Sequence, residues 1–160
     1  MHVLFRMRIF IKKVRVMRHK LKTEKLVSRS PWLAHFNTAA CNGCDIEVLA
    51  MLSPHYDPER FGVKLTPSVR HADILVVTGA VNKKAAVRLK RLYEQMAEPK
   101  FVVAIGACAI SGGVFAKSYN LFAGADKVVP VVAYIPGCPP KPEAILDGLT
   151  KVLAKLQEMK

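Results

Sequence analysis

The sequence has no uncharged apolar run of about 18 residues, the length a membrane-spanning helix needs, and no internal repeat. Secretion signals are missing too. The N-terminal residues interleave charges with apolar side chains, offer no small-residue cleavage site and hold no twin-arginine pair. Disulfides are therefore not expected from the four cysteines. Acids are scarce, with 12 Asp+Glu against 25 Lys+Arg, for a net charge of +13. Yet no nucleic-acid-reading motif accompanies that charge, and no Gly-Lys-Ser/Thr follows Gly112-Gly113 to make a phosphate loop. What is present, 160 residues with 51% apolar and 8% aromatic, supplies one domain with a real core and excludes a disordered chain.

The charge is unevenly placed. Residues 1–30 hold ten Lys/Arg against the single acid Glu24, so +9 of the total lies there and +4 on the other 130 residues. This divides the chain into a basic amphipathic extension, 1–29, and a domain, 30–160. Val3, Leu4, Phe5, Ile9, Phe10 and Ile11 lie among the leading charges. Such a segment suits an anionic membrane surface or an acidic partner subunit. A solvated tail, or an upstream start preceding Met7 or Met17, is the bland alternative.

Beyond Pro31 short apolar runs alternate with helical periods. Strands are expected at Trp32–Phe36, Val63–Thr66, Ile74–Thr78, Phe101–Ile105 and Val128–Ile135, the continuous β-branched runs marking burial on both faces. Helices are expected from Asp45 to Leu52, from an Asn82 N-cap with the stripe Ala85/Ala86, Leu89, Leu92/Tyr93 and Met96, and from Pro142 onward. The last places Ile145, Leu149, Val152 and Leu156 on one face and pairs Asp147 with Lys151 on another. This alternation predicts an α/β fold with a doubly wound, mostly parallel sheet.

All four cysteines fall just beyond apolar runs: Cys41 and Cys44 in Cys-Asn-Gly-Cys, Cys108 in Gly-Ala-Cys-Ala, Cys138 in Pro-Gly-Cys-Pro-Pro. Open α/β sheets bind ligands outside the carboxyl ends of their strands. Three loops can therefore deliver four thiolates to one point, with Gly43, Gly106 and Gly137 permitting close approach and Pro136, Pro139 and Pro140 stiffening the last loop. Four thiolates suit tetrahedral zinc or an iron–sulfur cluster. Structural zinc usually draws on two close pairs, whereas here one pair joins two distant singles, which a larger cluster matches better. A thioredoxin-like pair at Cys41–Cys44 leaves Cys108 and Cys138 without work, and four buried structural thiols is a further reading.

These motifs occur in a familiar order: Cys41-Asn42-Gly43-Cys44-Asp45-Ile46-Glu47, Val77-Thr78-Gly79, Gly106-Ala107-Cys108-Ala109, Gly112-Gly113-Val114-Phe115 and Tyr134-Ile135-Pro136-Gly137-Cys138-Pro139-Pro140. Over roughly residues 30–150 the chain resembles the small, electron-transferring subunit of energy-converting, membrane-bound [NiFe] hydrogenases, a family related to the quinone-proximal cluster subunit of complex I. The resemblance implies a flavodoxin-like domain holding one [4Fe–4S] cluster on Cys41, Cys44, Cys108 and Cys138. It implies docking on a [NiFe]-type large subunit that reduces protons, alongside a ferredoxin-like multi-cluster subunit and membrane subunits, at the cytoplasmic face of the membrane. No catalytic residue is then expected in this chain, and no nucleic acid among its partners.

Complex I relatives carry adjacent cysteines at the first position, whereas Asn42-Gly43 separates them here, as in the hydrogenases. Those relatives also commonly show an acid before Pro-Gly-Cys and an arginine after Cys-Pro-Pro, where this chain has Val132 and Lys141. A quinone- or sulfur-reducing complex of the same type is the alternative, and a zinc-stabilised nucleic-acid-binding protein the remote one. Glu47, on the first helical turn after the pair, is a candidate proton relay by the same resemblance, although the helix dipole alone favours an acid there. His35, His55 and His71 show no metal-ligand spacing, His2 and His19 fall in the extension, and Lys83, Lys84, Arg88, Lys90 and Arg91 read as a solvated helix face.

Overall fold

The computed structural model describes residues 30–158, so the basic segment 1–29 lies outside the described residues. Strands β1 (Trp32–Asn37), β2 (Lys64–Leu65), β3 (Ile74–Thr78), β4 (Phe101–Ile105) and β5 (Ala133–Ile135) form one sheet in the order β2-β1-β3-β4-β5, each neighbouring pair parallel. Helices α1 (Gly43–Met51), α2 (Lys83–Gln95), α3 (Ala107–Ser111) and α4 (Pro142–Glu158) pack around it, with short 3-10 turns between elements. The doubly wound parallel sheet expected from the pattern is what forms. Among the described residues no helix is long and apolar enough to cross a membrane.

Every residue of β3 and β4 is buried, which follows from apolar runs covered on both sides. Successive side chains serve opposite faces. On one, Ile74, Val76, Val103 and Ile105 meet Val48 and Met51 of α1 and Ile145 and Leu149 of α4. On the other, Leu75, Val77, Val102 and Ala104 meet Ala86 and Leu89 of α2 and Ala109 of α3. The Asn82 side chain accepts from Ala85 N at 2.6 Å, the expected cap, and the basic residues of α2 are exposed as expected. Pro142 opens α4, and Asp147 pairs with Lys151.

Several elements differ from expectation: β2 spans only Lys64–Leu65 of the expected Val63–Thr66, and β1 runs one residue past Phe36 to Asn37. The last strand is confined to Ala133–Ile135, because Ala125–Lys127 form a 3-10 turn and Pro130 has no N–H to give a ladder. Helix α1 starts two residues earlier than Asp45: Asn42 adopts a left-handed conformation (φ 66°), which turns the chain early and draws Gly43 and Cys44 into the first turn. The short helix α3 has no periodic signature in five residues, Ala-Cys-Ala-Ile-Ser.

The register has one consequence for function. Asn37 pairs with Thr78, Thr78 with Ile105, and Ile105 with Ile135, so four strands end level at one edge of the sheet. Leu149 is fully buried between α4 and the sheet. Leu149→Ala is expected to cost about 2–5 kcal/mol, read as a lower denaturant midpoint with an unchanged slope.

Candidate functional site

The level edge carries the cysteines. Cys41 and Cys44 follow β1, Cys44 as the second residue of α1; Cys108 is the second residue of α3, just after β4; Cys138 follows β5. Cys44 is buried, Cys108 half-buried, Cys41 and Cys138 exposed, and all four are free thiols.

Their loops are packed on one another. A Cβ placed on Gly106 would lie 2.5 Å from Cys44 Sγ, and with φ at +88° only glycine fits there without strain. Gly106 N donates to Ile135 O (2.9 Å) and Ala107 N to Gly137 O (2.8 Å), tying the Cys108 loop to the Cys138 loop. A Cβ on Gly43 would lie 3.6 Å from Cys41 Sγ and 3.7 Å from the Pro139 ring, so the Cys41–Cys44 loop abuts the residue after Cys138. Gly79, at the end of β3 with φ +81°, admits the Ala39-Ala40 backbone so closely that a Cβ would meet Ala40 N at 2.5 Å.

The thiols also share a field. Burial, followed by the charges of Cys108, Cys138, Cys41 and Asp45, pushes the Cys44 thiol up to about 11. Burial, then Cys138 and Cys41, likewise raises Cys108. Among the described residues, no three His, Cys, Asp or Glu side chains are gathered to hold a single metal ion. The donor set is all sulfur, the soft set that takes zinc or iron–sulfur clusters. Burial and then repulsion favour the protonated thiol at Cys44 and Cys108 until positive charge arrives to hold them as thiolates.

Other expectations are redistributed. The first-turn acid of α1 is Asp45, while Glu47 sits two residues further on; it is half-buried, and its charge acts on Tyr56, whose phenol is raised chiefly by burial and by a 3.2 Å hydrogen bond to Glu143. His55 stacks edge-on against Tyr56, and His71 lies exposed on a 3-10 turn. His35 does more than the sequence indicates. Its Nε2 lies 3.0 Å from both Thr78 Oγ1 and Asp45 Oδ1. Thr78 Oγ1 donates to Asp45 Oδ1 (2.5 Å), and Asn37 Nδ2 donates to Asp45 Oδ2 (2.5 Å). Sequence reasoning misses this group; the one available signal is Thr78, a polar end to an otherwise apolar strand.

A family model, NADH ubiquinone oxidoreductase, 20 Kd subunit, matches residues 41–152, a span that contains all four cysteines. The chain belongs to this family. It is 54% identical, over 84% of its length and 81% of the relative's, to a probable membrane-bound hydrogenase subunit of Pyrococcus furiosus. It is 47% identical, over 84% of its length and 90% of the relative's, to an NADH-quinone oxidoreductase subunit of Carboxydothermus hydrogenoformans. Its fold superposes with a TM-score of 0.76, at 36% identity and over 88% of this chain and 78% of the other, on a chain of the membrane-bound sulfane sulfur reductase, an archaeal respiratory membrane complex. Members of the family are thus subunits of oxidoreductases.

The raised Cys44 thiol has a measurable sign. Its neutral form is favoured in the fold, so its contribution to stability is complete below pH 9.0 and lost as pH rises through about 11. With any bound metal removed, Cys44 is expected to alkylate about tenfold more slowly than Cys41 or Cys138 at pH 8, since the thiolate is the nucleophile. The gap should narrow toward pH 11; equal rates at pH 8 would contradict the burial and field described.

Proposed function

We propose that this chain is the electron-transfer subunit of a membrane-bound, ferredoxin-linked [NiFe] hydrogenase complex that evolves H2, carrying one [4Fe–4S] cluster on Cys41, Cys44, Cys108 and Cys138. The observation that supports it most is that the three loops carrying the four thiols leave the same level edge of the parallel sheet and pack on one another. When bound, such a cluster takes up and passes on one electron at a time without making or breaking a substrate bond. The chain's own part is to hold. Gly106 leaves room for Cys44, the backbone bonds to Ile135 O and Gly137 O fix Cys108 relative to Cys138, and burial limits water around the Cys44 sulfur.

The segments that carry Cys44 and Cys108 also expose apolar side chains. Ile46 and Leu49 project from α1, and Val114, Phe115 and Tyr119 from the loop after Cys108, with Val114 88% and Tyr119 91% accessible. Exposed apolar side chains on the segments that carry the thiols fit a surface covered by another subunit. In this reading the occupant is the large subunit with the Ni–Fe centre, a ferredoxin-like multi-cluster subunit is the donor, and this chain sits peripherally on the cytoplasmic face above the membrane subunits. The basic segment 1–29 is a separate extension that meets the membrane surface or a neighbouring subunit, and Glu47 is a candidate proton relay toward the large subunit.

A sulfur- or quinone-reducing complex is the second reading, favoured by the likeness to the sulfane sulfur reductase chain. The Cys-Asn-Gly-Cys spacing supports the hydrogenase.

Anaerobically purified complex should hold about four irons and matching acid-labile sulfide in this chain, and Cys138→Ser should lose or alter the EPR signal of the reduced cluster. One zinc without sulfide would overturn the cluster. Two Cys-x-x-Cys pairs in the co-purifying large subunit would mark a Ni–Fe site, and their absence would leave the second reading. Val114→Asp should reduce recovery of the large subunit at least several-fold while leaving the iron content of this chain intact.

A further inference from the structure

The Cys41–Cys44 loop is held in a backbone conformation it would not adopt unaided. Ala39 has φ 148° and Asn42 φ 66°, both unusual for residues with a Cβ. Such conformations are strained and persist only where the surroundings over-determine them. The surroundings here are a small polar network. Asn37 Oδ1 accepts from Ala39 N (3.0 Å) and Ala40 N (2.8 Å), while its Nδ2 donates to Asp45 Oδ2 (2.5 Å) and Asn42 Oδ1 (3.4 Å). One amide therefore grips the loop before Cys41 and reaches the residue after Cys44. Thr38 Oγ1 donates to Thr78 O (2.8 Å) and Gly79 O (3.1 Å), stitching the same loop to the end of β3.

Asp45 closes the circuit. An ionised carboxylate only accepts, and both its oxygens are occupied: Oδ2 by Asn37, Oδ1 by the Thr78 hydroxyl, with His35 Nε2 also 3.0 Å away. Where His35 Nε2 carries the ring proton, it donates to this carboxylate. Asp45 thus links the end of β1, the end of β3 and the first turn of α1, one peptide bond from Cys44. Its side chain is only 13% accessible and that of His35 24%, so the bonds to Thr78 and His35 are partly sheltered from competing water, while the bond to Asn37 is exposed.

We propose that Asp45 is a positioning residue for the redox site, the keystone of an Asn37–Asp45–Thr78–His35 brace that fixes the Cys41–Cys44 pair relative to the sheet edge. The inference rests on the cluster reading above. It assigns Asp45 no contact with the cluster and no share in electron transfer.

The test uses the assembled, anaerobically purified complex and the variants Thr78→Val, which keeps shape and removes the hydroxyl, Thr78→Ser, which restores it, and Asp45→Asn, which keeps size. Amide hydrogen exchange at Ala39 and Ala40 should quicken about tenfold in Thr78→Val and Asp45→Asn. The reduced-cluster EPR line shape should change, and iron release to a chelator should accelerate several-fold. Thr78→Ser should return all three toward wild type. A general packing defect would instead quicken exchange in β4 and α4 as well, and would overturn the proposal. Wild-type exchange, line shape and iron release in Asp45→Asn would also overturn it. Should Thr78→Val not assemble, Asp45→Asn and Thr78→Ser decide the matter on the same readouts. Wild-type complex lacking iron and sulfide would instead remove the cluster reading, and exchange at Ala39 and Ala40 would still report on the brace.

Discussion

The hydrogen-bond register of the parallel sheet is the constraint on which the cysteine edge depends. Because Asn37, Thr78, Ile105 and Ile135 are partners in successive ladders, the chain leaves β1, β3, β4 and β5 at one level. Neighbouring strands stand about 4.8 Å apart, so the outer two of these four are separated by roughly 14 Å. Loops of three or four residues then suffice to bring Cys41, Cys108 and Cys138 inward. A slip of one residue in any ladder would turn every side chain of that strand to the opposite face and shift its loop along the edge. The buried β-branched runs that set the register therefore also determine where the thiols stand.

That placement carries an electrostatic cost for the chain alone. Burial and mutual repulsion disfavour the thiolate at Cys44 and Cys108, so the sulfurs are arranged for charges they do not themselves provide. Similar thiols scattered over the surface would feel neither effect. The arrangement accords with the family to which the chain belongs, whose relatives include a hydrogenase subunit and a quinone-oxidoreductase subunit.

Much of this is legible in the sequence because it rests on local patterns. The runs Ile74–Thr78 and Phe101–Ile105 read as doubly buried strands and are, to the residue. Asn82 reads as a cap and accepts from Ala85 N. Boundaries governed by a single backbone torsion are not legible. Asn42 in the left-handed region starts α1 early and places Asp45, not Glu47, in its first turn. Nor is the role of Asp45: its bond to Thr78 joins residues 33 positions apart, and only the folded sheet reveals that they meet. His35 lacks ligand spacing and reads as a strand-edge residue, since nothing local distinguishes a histidine that braces a loop.

The loop after Cys108 leaves at Gly112 and is caught again where Phe122 N donates to Val81 O and Lys83 N to Asn120 O. It carries Val114, Phe115 and Tyr119 into solvent between two fixed ends. A loop pinned in this way loses little backbone freedom when another surface closes over it. Association can therefore be fast and geometrically particular, with the entropy of arranging the contact already spent during folding rather than at each encounter.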